Sequence, residues 1–309
     1  MAQKKDFLTI AELSPAELSD ILELALRLKR EWKSGGNPPM LKNKAMAMVF
    51  TKPSLRTRMS FEMAMFDLGG KAMYIGPDEV QLGKRESVPD VARVLSRYVD
   101  LIMARVFEHQ DVVTLAQYAS VPVINGLSDH EHPCQALADL LTILERKGSL
   151  KGLQLTYLGD ANNVANSLVY GAVMLGAHVT VAAPRGYGLW DEVAVHAQRF
   201  AVASGGSVTQ VEDARAGVES ADVLYTDAWY SMGQESEAAK RAAIFPPYQM
   251  NRALMDLARP DAIAMHCLPA HRGQEITDDV ADSPQSVLWD QAENRLHAQK
   301  AVLVKLLVH

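Results

Sequence analysis

Strand-length apolar runs alternate with helical patterns along almost the whole chain, and they do so in two series. The first series places strands at residues 45–50, 71–75, 100–104 and 121–124, with helices near 54–68, 89–98, 109–119 and 132–147. The second opens with the strand 153–158 and continues with strands near 178–182, 207–211, 222–226 and 262–266, helical segments lying between. Strands joined through helices pair in parallel, because the crossover carries the chain back to the starting edge. The pattern predicts an α/β protein of two doubly wound parallel-sheet domains, with helices on both faces of each sheet. A chain of 309 residues suffices for two such cores. The boundary is expected at Gly148 to Gly152, giving domains 1–148 and 149–289. Ser14-Pro15-Ala16-Glu17 is a capping box that opens the first helix. Asp290 to Val308 reads as one last helix, with Leu296, Val302, Val304 and Leu307 available for packing.

Open parallel sheets bind ligands beyond the carboxyl ends of their strands. The polar residues of interest lie there in both halves. Ser54 follows strand 45–50, Arg105 follows 100–104, and Asn125 and His132 come after 121–124. Asp160 to Asn163 follow strand 153–158, Asp227 follows 222–226, and Cys267 follows 262–266. This clustering predicts an active site in the cleft between the two domains.

The stretch from Phe50 to Glu62 constrains the ligand. Ser54 stands where a helix N-cap belongs, and Ser54 and Thr57 bring hydroxyls to a first turn rich in unpaired N–H groups. Such a terminus attracts anions. Arg56 and Arg58 add guanidiniums suited to two-pronged phosphate contacts. An ordinary cap with two solvated arginines is the plainer reading. The stretch lacks the Gly-x-x-x-x-Gly-Lys-Ser/Thr pattern, so a nucleotide is not implied. Gly159-Asp160-Ala161-Asn162-Asn163 likewise lacks Gly-x-Gly-x-x-Gly, which argues against a dinucleotide.

Composition excludes several classes. The net charge of −6 is spread along the chain, with no basic tract to suggest nucleic acid. The longest apolar stretches are of strand length, so no membrane helix is expected. The first residues, Met1-Ala-Gln-Lys-Lys-Asp, lead into no signal-type apolar run, and only Cys134 and Cys267 occur. A cytoplasmic enzyme is the expectation. His266-Cys267 invites a metal reading, but adjacent residues on an extended segment point to opposite sides and no companion pair stands at zinc spacing.

Four ordered segments carry a family resemblance. Ser54-Leu55-Arg56-Thr57-Arg58 resembles the Ser-x-Arg-Thr-Arg signature of the aspartate and ornithine carbamoyltransferases, and His132-Pro133-Cys134-Gln135 matches in order. Asp227-Ala-Trp-Tyr-Ser231-Met232-Gly233 and His266-Cys267-Leu268-Pro269 are similar to the ornithine branch. The resemblance implies transfer of a carbamoyl group from carbamoyl phosphate to the δ-amine of L-ornithine, giving L-citrulline and phosphate, with no metal or organic cofactor. It assigns Ser54, Leu55, Arg56, Thr57 and Arg105 to the phosphate, and Thr57, Arg105, His132 and Arg295 to the carbonyl oxygen. Gln135 would accept from the carbamoyl nitrogen. Asn163 would lie near the amino-acid carboxylate and Asp227 near the α-ammonium, with Ser231 and Met232 completing the ornithine side. Cys267 would partner the incoming amine, and Leu268 would offer its carbonyl. The last helix would return to the first domain. The polar loop 76–88 would carry Gln81 into the site of a neighbouring subunit, in a homotrimer or a multiple of trimers.

Plainer roles stand beside these: a core histidine for His132, an N-cap for Asp227, an Asn-rich turn at residues 160–163, a solvated helix face for Arg295. Other readings of the whole chain are carbamoyl transfer to putrescine, aspartate or an acylated ornithine, or a catalytically silent binding relative. Loss of Arg56, Arg105 or His132 would mark the last, and all are present.

Overall fold

The computed structural model describes residues 4–230 and 235–308. It divides into two compact units, one of Met1–Leu141 with Asn294–His309 and the other of Thr142–Glu293. Both divisions fall inside unbroken helices. The first division lies in the helix that precedes Gly148, and the second in the helix that begins at Leu288.

The first unit contains α1 (Pro15–Lys33), β1 (Ala45–Phe50), α2 (Leu55–Asp67), β2 (Lys71–Ile75), α3 (Pro77–Val80) and α4 (Val88–Leu95). There follow β3 (Leu101–Arg105), α5 (His109–Tyr118), β4 (Val123–Leu127) and the first part of α6 (Pro133–Lys147). Its sheet is parallel, in the order β2-β1-β3-β4. The order reverses at β1, which lies between β2 and β3, so the ligand crevice of this sheet opens beyond the ends of β1 and β3. Phe50 and Arg105 are register partners there, and the Thr51 N–H donates to the Arg105 carbonyl at 2.9 Å.

The capping box of α1 forms as expected, with both Ser14 and Glu17 engaged. Two expectations need correction. Strand β4 runs on to Leu127 through Asn125 and Gly126, which read as its end. Asn125 stays in the sheet because residue 7 adds to the edge, with the Asn125 N–H donating to the Phe7 carbonyl at 2.8 Å. Gly126 is required by a close approach, since a Cβ would stand 2.4 Å from Met103 Sδ. The supposed loop 76–88 contains α3 and a Leu82–Glu86 bridge, and it buries Val80 and Leu82 in the core. Two apolar side chains, two residues apart, anchor it to the core.

The second unit contains β5 (Gln154–Leu158), α7 (Asn163–Met174), β6 (His178–Ala182), α8 (Asp191–Ser204), β7 (Ser207–Val211) and α9 (Ala214–Val218). It continues with β8 (Val223–Thr226), α10 (Ala238–Ile244), α11 (Arg252–Met255), β9 (Ile263–His266), α12 (Asp278–Ala281) and the start of α13 (Leu288–Leu307). Its five strands are parallel in the order β7-β6-β5-β8-β9. Here the order reverses at β5, between β6 and β8. Leu158 and Thr226 end those two strands as register partners, and the Thr226 hydroxyl donates to the Leu158 carbonyl at 2.9 Å.

Helix α13 departs most from its sequence reading. Leu296 is only half-buried, while Asn294, Arg295, His297, Gln299 and Lys300 are buried. Burying polar groups costs free energy unless they are paired, and here they are. Lys300 Nζ pairs with Asp67 at 2.6 Å and donates to Asn37 Oδ1 at 2.8 Å, and Lys29 donates to Asn294 Oδ1 at 2.8 Å. No described helix is long and apolar enough to cross a membrane.

Candidate functional site

In the first unit a group of cations gathers around one hydroxyl. Ser54 is the N-cap of α2, extended at φ −160°, and its Oγ accepts the Thr57 N–H at 3.3 Å. Its own hydroxyl donates to Thr57 Oγ1 at 3.2 Å. Thr57 is buried, and two guanidiniums reach its Oγ1: Arg105 Nη1 at 3.5 Å and Arg295 Nη2 at 3.4 Å. The register of β3 against β4 shifts between Ala104 and Arg105, an irregularity of the kind that re-aims a side chain at a sheet end. Arg56 is half-buried in the same first turn, and Leu55 is 73% exposed.

Arg295 is 4% exposed, which removes the solvated-face reading. Its Nη1 donates to Gln135 Oε1 at 2.8 Å and its Nε to Gln299 Oε1 at 3.3 Å. Gln299 in turn meets Ser60 on α2, the hydroxyl donating to Oε1 at 2.8 Å. Gln135 extends the chain by donating from Nε2 to Asp139 Oδ1 at 2.8 Å. The expected carbamoyl-facing oxygen of Gln135 is thus already shared with a guanidinium.

His132 directly precedes α6, and its carbonyl accepts the Gln135 and Ala136 N–H groups. Burial holds its imidazole pKa well below 6.5, and the charges of Arg295, Arg105, Lys52 and Arg56 push the same way. It is neutral at pH 7 and able to donate a proton-bearing nitrogen to a ligand oxygen. Sequence reasoning passed over Lys52. This lysine is buried, lies over the Phe107 ring, and has its pKa pushed down to about 8 by burial and then by Arg105, with Asp129 opposing. A lysine just past an apolar strand was the available signal, the same one that marked Arg105. Cys134, in the same motif as His132, has its thiol pushed up to about 12 by burial. Gln81 is exposed, at the left-handed C-cap of α3 with φ 45°.

The second unit gathers a different set beyond β5, β8 and β9. Asn162, rather than Asn163, caps α7, accepting from the Val164 N–H at 2.9 Å. Asn162 Nδ2 donates to Asp227 Oδ2 at 2.8 Å, and Cys267 Sγ donates to Asp227 Oδ1 at 3.0 Å. Asp227 Oδ1 also accepts the Ala228 N–H at 2.8 Å. The carboxylate therefore joins three segments instead of capping a helix. Asn163 is the first residue of α7 and is half-buried. Ser231 and Met232 lie outside the described residues.

His266 and Cys267 do not diverge as neighbours on an extended segment would. Ligand atoms of Asp227, His266 and Cys267 lie within 4.8 Å of one another, because the chain curls after β9 with Leu268 at φ 60°. The imidazole is nevertheless committed on both sides. Its Nδ1 accepts the Leu268 N–H at 2.8 Å, and its Nε2 faces Glu275 Oε1 at 3.1 Å.

One α/β unit gathers cations around Thr57, and the other gathers a carboxylate and a thiol beyond its strand ends, a division suited to a transferase of two ligands. Residues 5–145 match the family described as Aspartate/ornithine carbamoyltransferase, carbamoyl-P binding domain, and residues 151–306 match its Asp/Orn binding domain. The chain belongs to the aspartate/ornithine carbamoyltransferase family. It is 56% identical over 303 residues to a Pyrococcus abyssi protein named ornithine carbamoyltransferase, covering 98% of this chain and 96% of that one. A Pyrococcus furiosus relative, named ornithine carbamoyltransferase, anabolic, is 54% identical over 98% of this chain and 96% of its own length. The solved structure of ornithine carbamoyltransferase from Pyrococcus furiosus superposes with a TM-score of 0.96, covering 98% of this chain and 97% of that one at 54% identity. That of the Thermus thermophilus enzyme gives 0.89 at 44% identity, covering 99% and 100%.

Proposed function

We propose that the protein transfers the carbamoyl group of carbamoyl phosphate to the δ-amine of L-ornithine, giving L-citrulline and phosphate. The observation that carries this reading is the convergence of Arg105 and Arg295 on Thr57, beside a neutral His132, at the switch point of the first sheet. Ser54, Arg56, Thr57, Arg105 and the N–H groups around Leu55 hold the phosphate. Lys52 adds a fourth cation to the group. The neutral amine attacks the carbonyl carbon, and the carbonyl oxygen becomes an oxyanion faced by Thr57, Arg105, His132 and Arg295. Donors fixed in advance around a developing oxyanion supply the largest part of such catalysis. The intermediate collapses by breaking the bond to the phosphate oxygen, and the departing phosphate accepts the proton lost by the amine. Asp227 pairs with the α-ammonium of ornithine and Asn163 with its carboxylate, and the family resemblance assigns Ser231 and Met232 to the same ligand. Cys267 and the Leu268 carbonyl meet the δ-amine and the carbamoyl nitrogen.

We further infer a homotrimer acting in the cytoplasm, in the direction of arginine biosynthesis. Leu55, Met59, Met63 and Phe66 form an apolar stripe on the outer face of α2, with Phe66 71% exposed, and a second copy would cover it. Gln81 stands exposed and available to such a copy. Neither Cys134 nor Cys267 forms a disulfide, which supports a reducing compartment, and the anabolic name of the Pyrococcus furiosus relative supports the direction.

The test is citrulline formation from carbamoyl phosphate with a panel of ornithine, putrescine, aspartate and N-acetylornithine. Ornithine should be preferred by orders of magnitude in kcat/KM. Preference for another amine would move the assignment within the family, and turnover with none would favour a silent binding relative.

A further inference from the structure

We propose that Asp139 is a positioning residue that fixes the amide of Gln135 and through it selects a carbamoyl ligand over its acetyl analogue. The proposal rests on the reading that the first unit binds carbamoyl phosphate.

Gln135 and Asp139 stand one turn apart on α6 and are 1% and 0% exposed. Arg295 Nη1 lies 2.8 Å from one end of the Gln135 amide. A guanidinium has donors only, so the amide end that faces it must be the oxygen. The nitrogen then faces Asp139 Oδ1, also at 2.8 Å. Turning the amide over would set donor against donor at Arg295 and acceptor against acceptor at Asp139. Two buried partners of opposite kind therefore lock one orientation. Neither partner touches a ligand through this arrangement, yet together they decide which atom Gln135 presents.

The presented atom is a carbonyl oxygen, and such an oxygen has two lone pairs. Arg295 occupies one. The other can accept an N–H, which a carbamoyl group supplies and an acetyl group does not. A buried acceptor left unmatched by a methyl group discriminates strongly, because the lost hydrogen bond is not replaced by water. Without the carboxylate, the Gln135 nitrogen has lost its buried acceptor, and the amide is held at its oxygen end alone, with less control over how that oxygen is aimed.

The experiment measures binding by calorimetry of phosphonoacetamide, phosphonoacetone and inorganic phosphate. The first two are stable stand-ins that differ only in an amino against a methyl group. Wild-type protein should prefer phosphonoacetamide by about tenfold or more. Asp139→Leu should bind phosphonoacetamide about tenfold more weakly, with phosphonoacetone and phosphate nearly unchanged. Asp139→Asn, whose amide oxygen still accepts, should keep most of the preference. Should Asp139→Leu not fold, Asp139→Ala removes the acceptor with a smaller side chain and is read in the same way. Equal weakening of all three ligands, an unchanged preference in Asp139→Leu, or no preference in the wild type would overturn the proposal. Failure of citrulline formation with the amide preference intact would sink the transferase reading alone.

Discussion

Replacing Arg295 with methionine removes a guanidinium that donates to Gln135 at 2.8 Å, Gln299 at 3.3 Å and Thr57 at 3.4 Å. Methionine retains most of the stem volume and none of the donors. In the free protein the lost bonds amount to roughly 1 kcal/mol each. Removing a buried charge recovers a desolvation cost of comparable size, so the melting temperature should move little. The ligand has no such offset. A charge-assisted hydrogen bond to a phosphate or a developing oxyanion contributes about 1.5–3 kcal/mol, which predicts a fall in kcat/KM for carbamoyl phosphate of roughly 10- to 150-fold. A second readout is independent of turnover. Arg295 heads the charges that depress the His132 pKa, with burial the larger cause. Its loss should therefore move that pKa up toward 6.5 while leaving it depressed. Initial rates of citrulline formation over a carbamoyl phosphate series, with an NMR titration of the His132 ring, measure both. A kcat/KM within threefold of wild type in a folded variant would make Arg295 a structural strut and refute the oxyanion role.

Three further outcomes are expected. Asp227→Ala should raise the KM for ornithine at least tenfold, since a charge-assisted contact of about 1.5 kcal/mol or more is lost, with phosphonoacetamide binding intact by calorimetry; equal loss of both ligands would make Asp227 structural. Stability should fall on mild acidification, because His132 is held well below 6.5 and His297 at about 3, so each stays neutral when folded and takes up a proton only on unfolding. Stability is thus fully present above the unfolded pKa near 6.5 and declines below it, by about 1.4 kcal/mol between pH 7.5 and 5.5 for His297 alone, with His132 adding to the same fall; a flat urea-unfolding profile over that range would contradict this. Mixing inactive Gln81→Ala subunits with inactive Arg105→Ala subunits, after dissociation and reassembly, should restore part of the activity if Gln81 serves a neighbouring copy; hybrids seen by native mass spectrometry that stay inactive would confine it to its own subunit.

The nine strands were legible because apolar periodicity is a property of neighbours in the chain. So was the Ser54 cap, whose donor lies three residues away at Thr57. The places where reading fell short share one cause. Asn125 looked like the end of a strand because nothing nearby says that residue 7 will pair beside it. Arg295 read as a solvated helix face because its partner Thr57 stands more than 200 positions earlier, as do Ser60 and Asp67, the partners of Gln299 and Lys300. A polar residue is usually exposed, but that rule fails where a distant segment supplies its match. Lys52 is a different case: its position past a strand was visible, and its burial under Phe107 was not.

Unit 1 is interrupted in the chain, since residues 142–293 intervene between its two pieces. The piece that returns carries Arg295, Gln299 and Lys300, and so one guanidinium of the cation cluster and the clamp on α2. During synthesis the first sheet and the first turn of α2 emerge well before this helix does. Domains generally fold as they leave the ribosome, earliest segments first. A nascent chain can therefore display Ser54, Arg56 and Arg105 on a formed sheet while Thr57 still lacks its second guanidinium. The groove later filled by α13 must stay open, with Asp67 and Ser60 wetted, until the whole of unit 2 has been made. Docking of one helix across that long separation carries a loop-closure cost that local contacts do not. Competence for chemistry is thus the last property this chain acquires, and a ribosome stalled before residue 294 would hold a binding sheet with an unfinished catalyst.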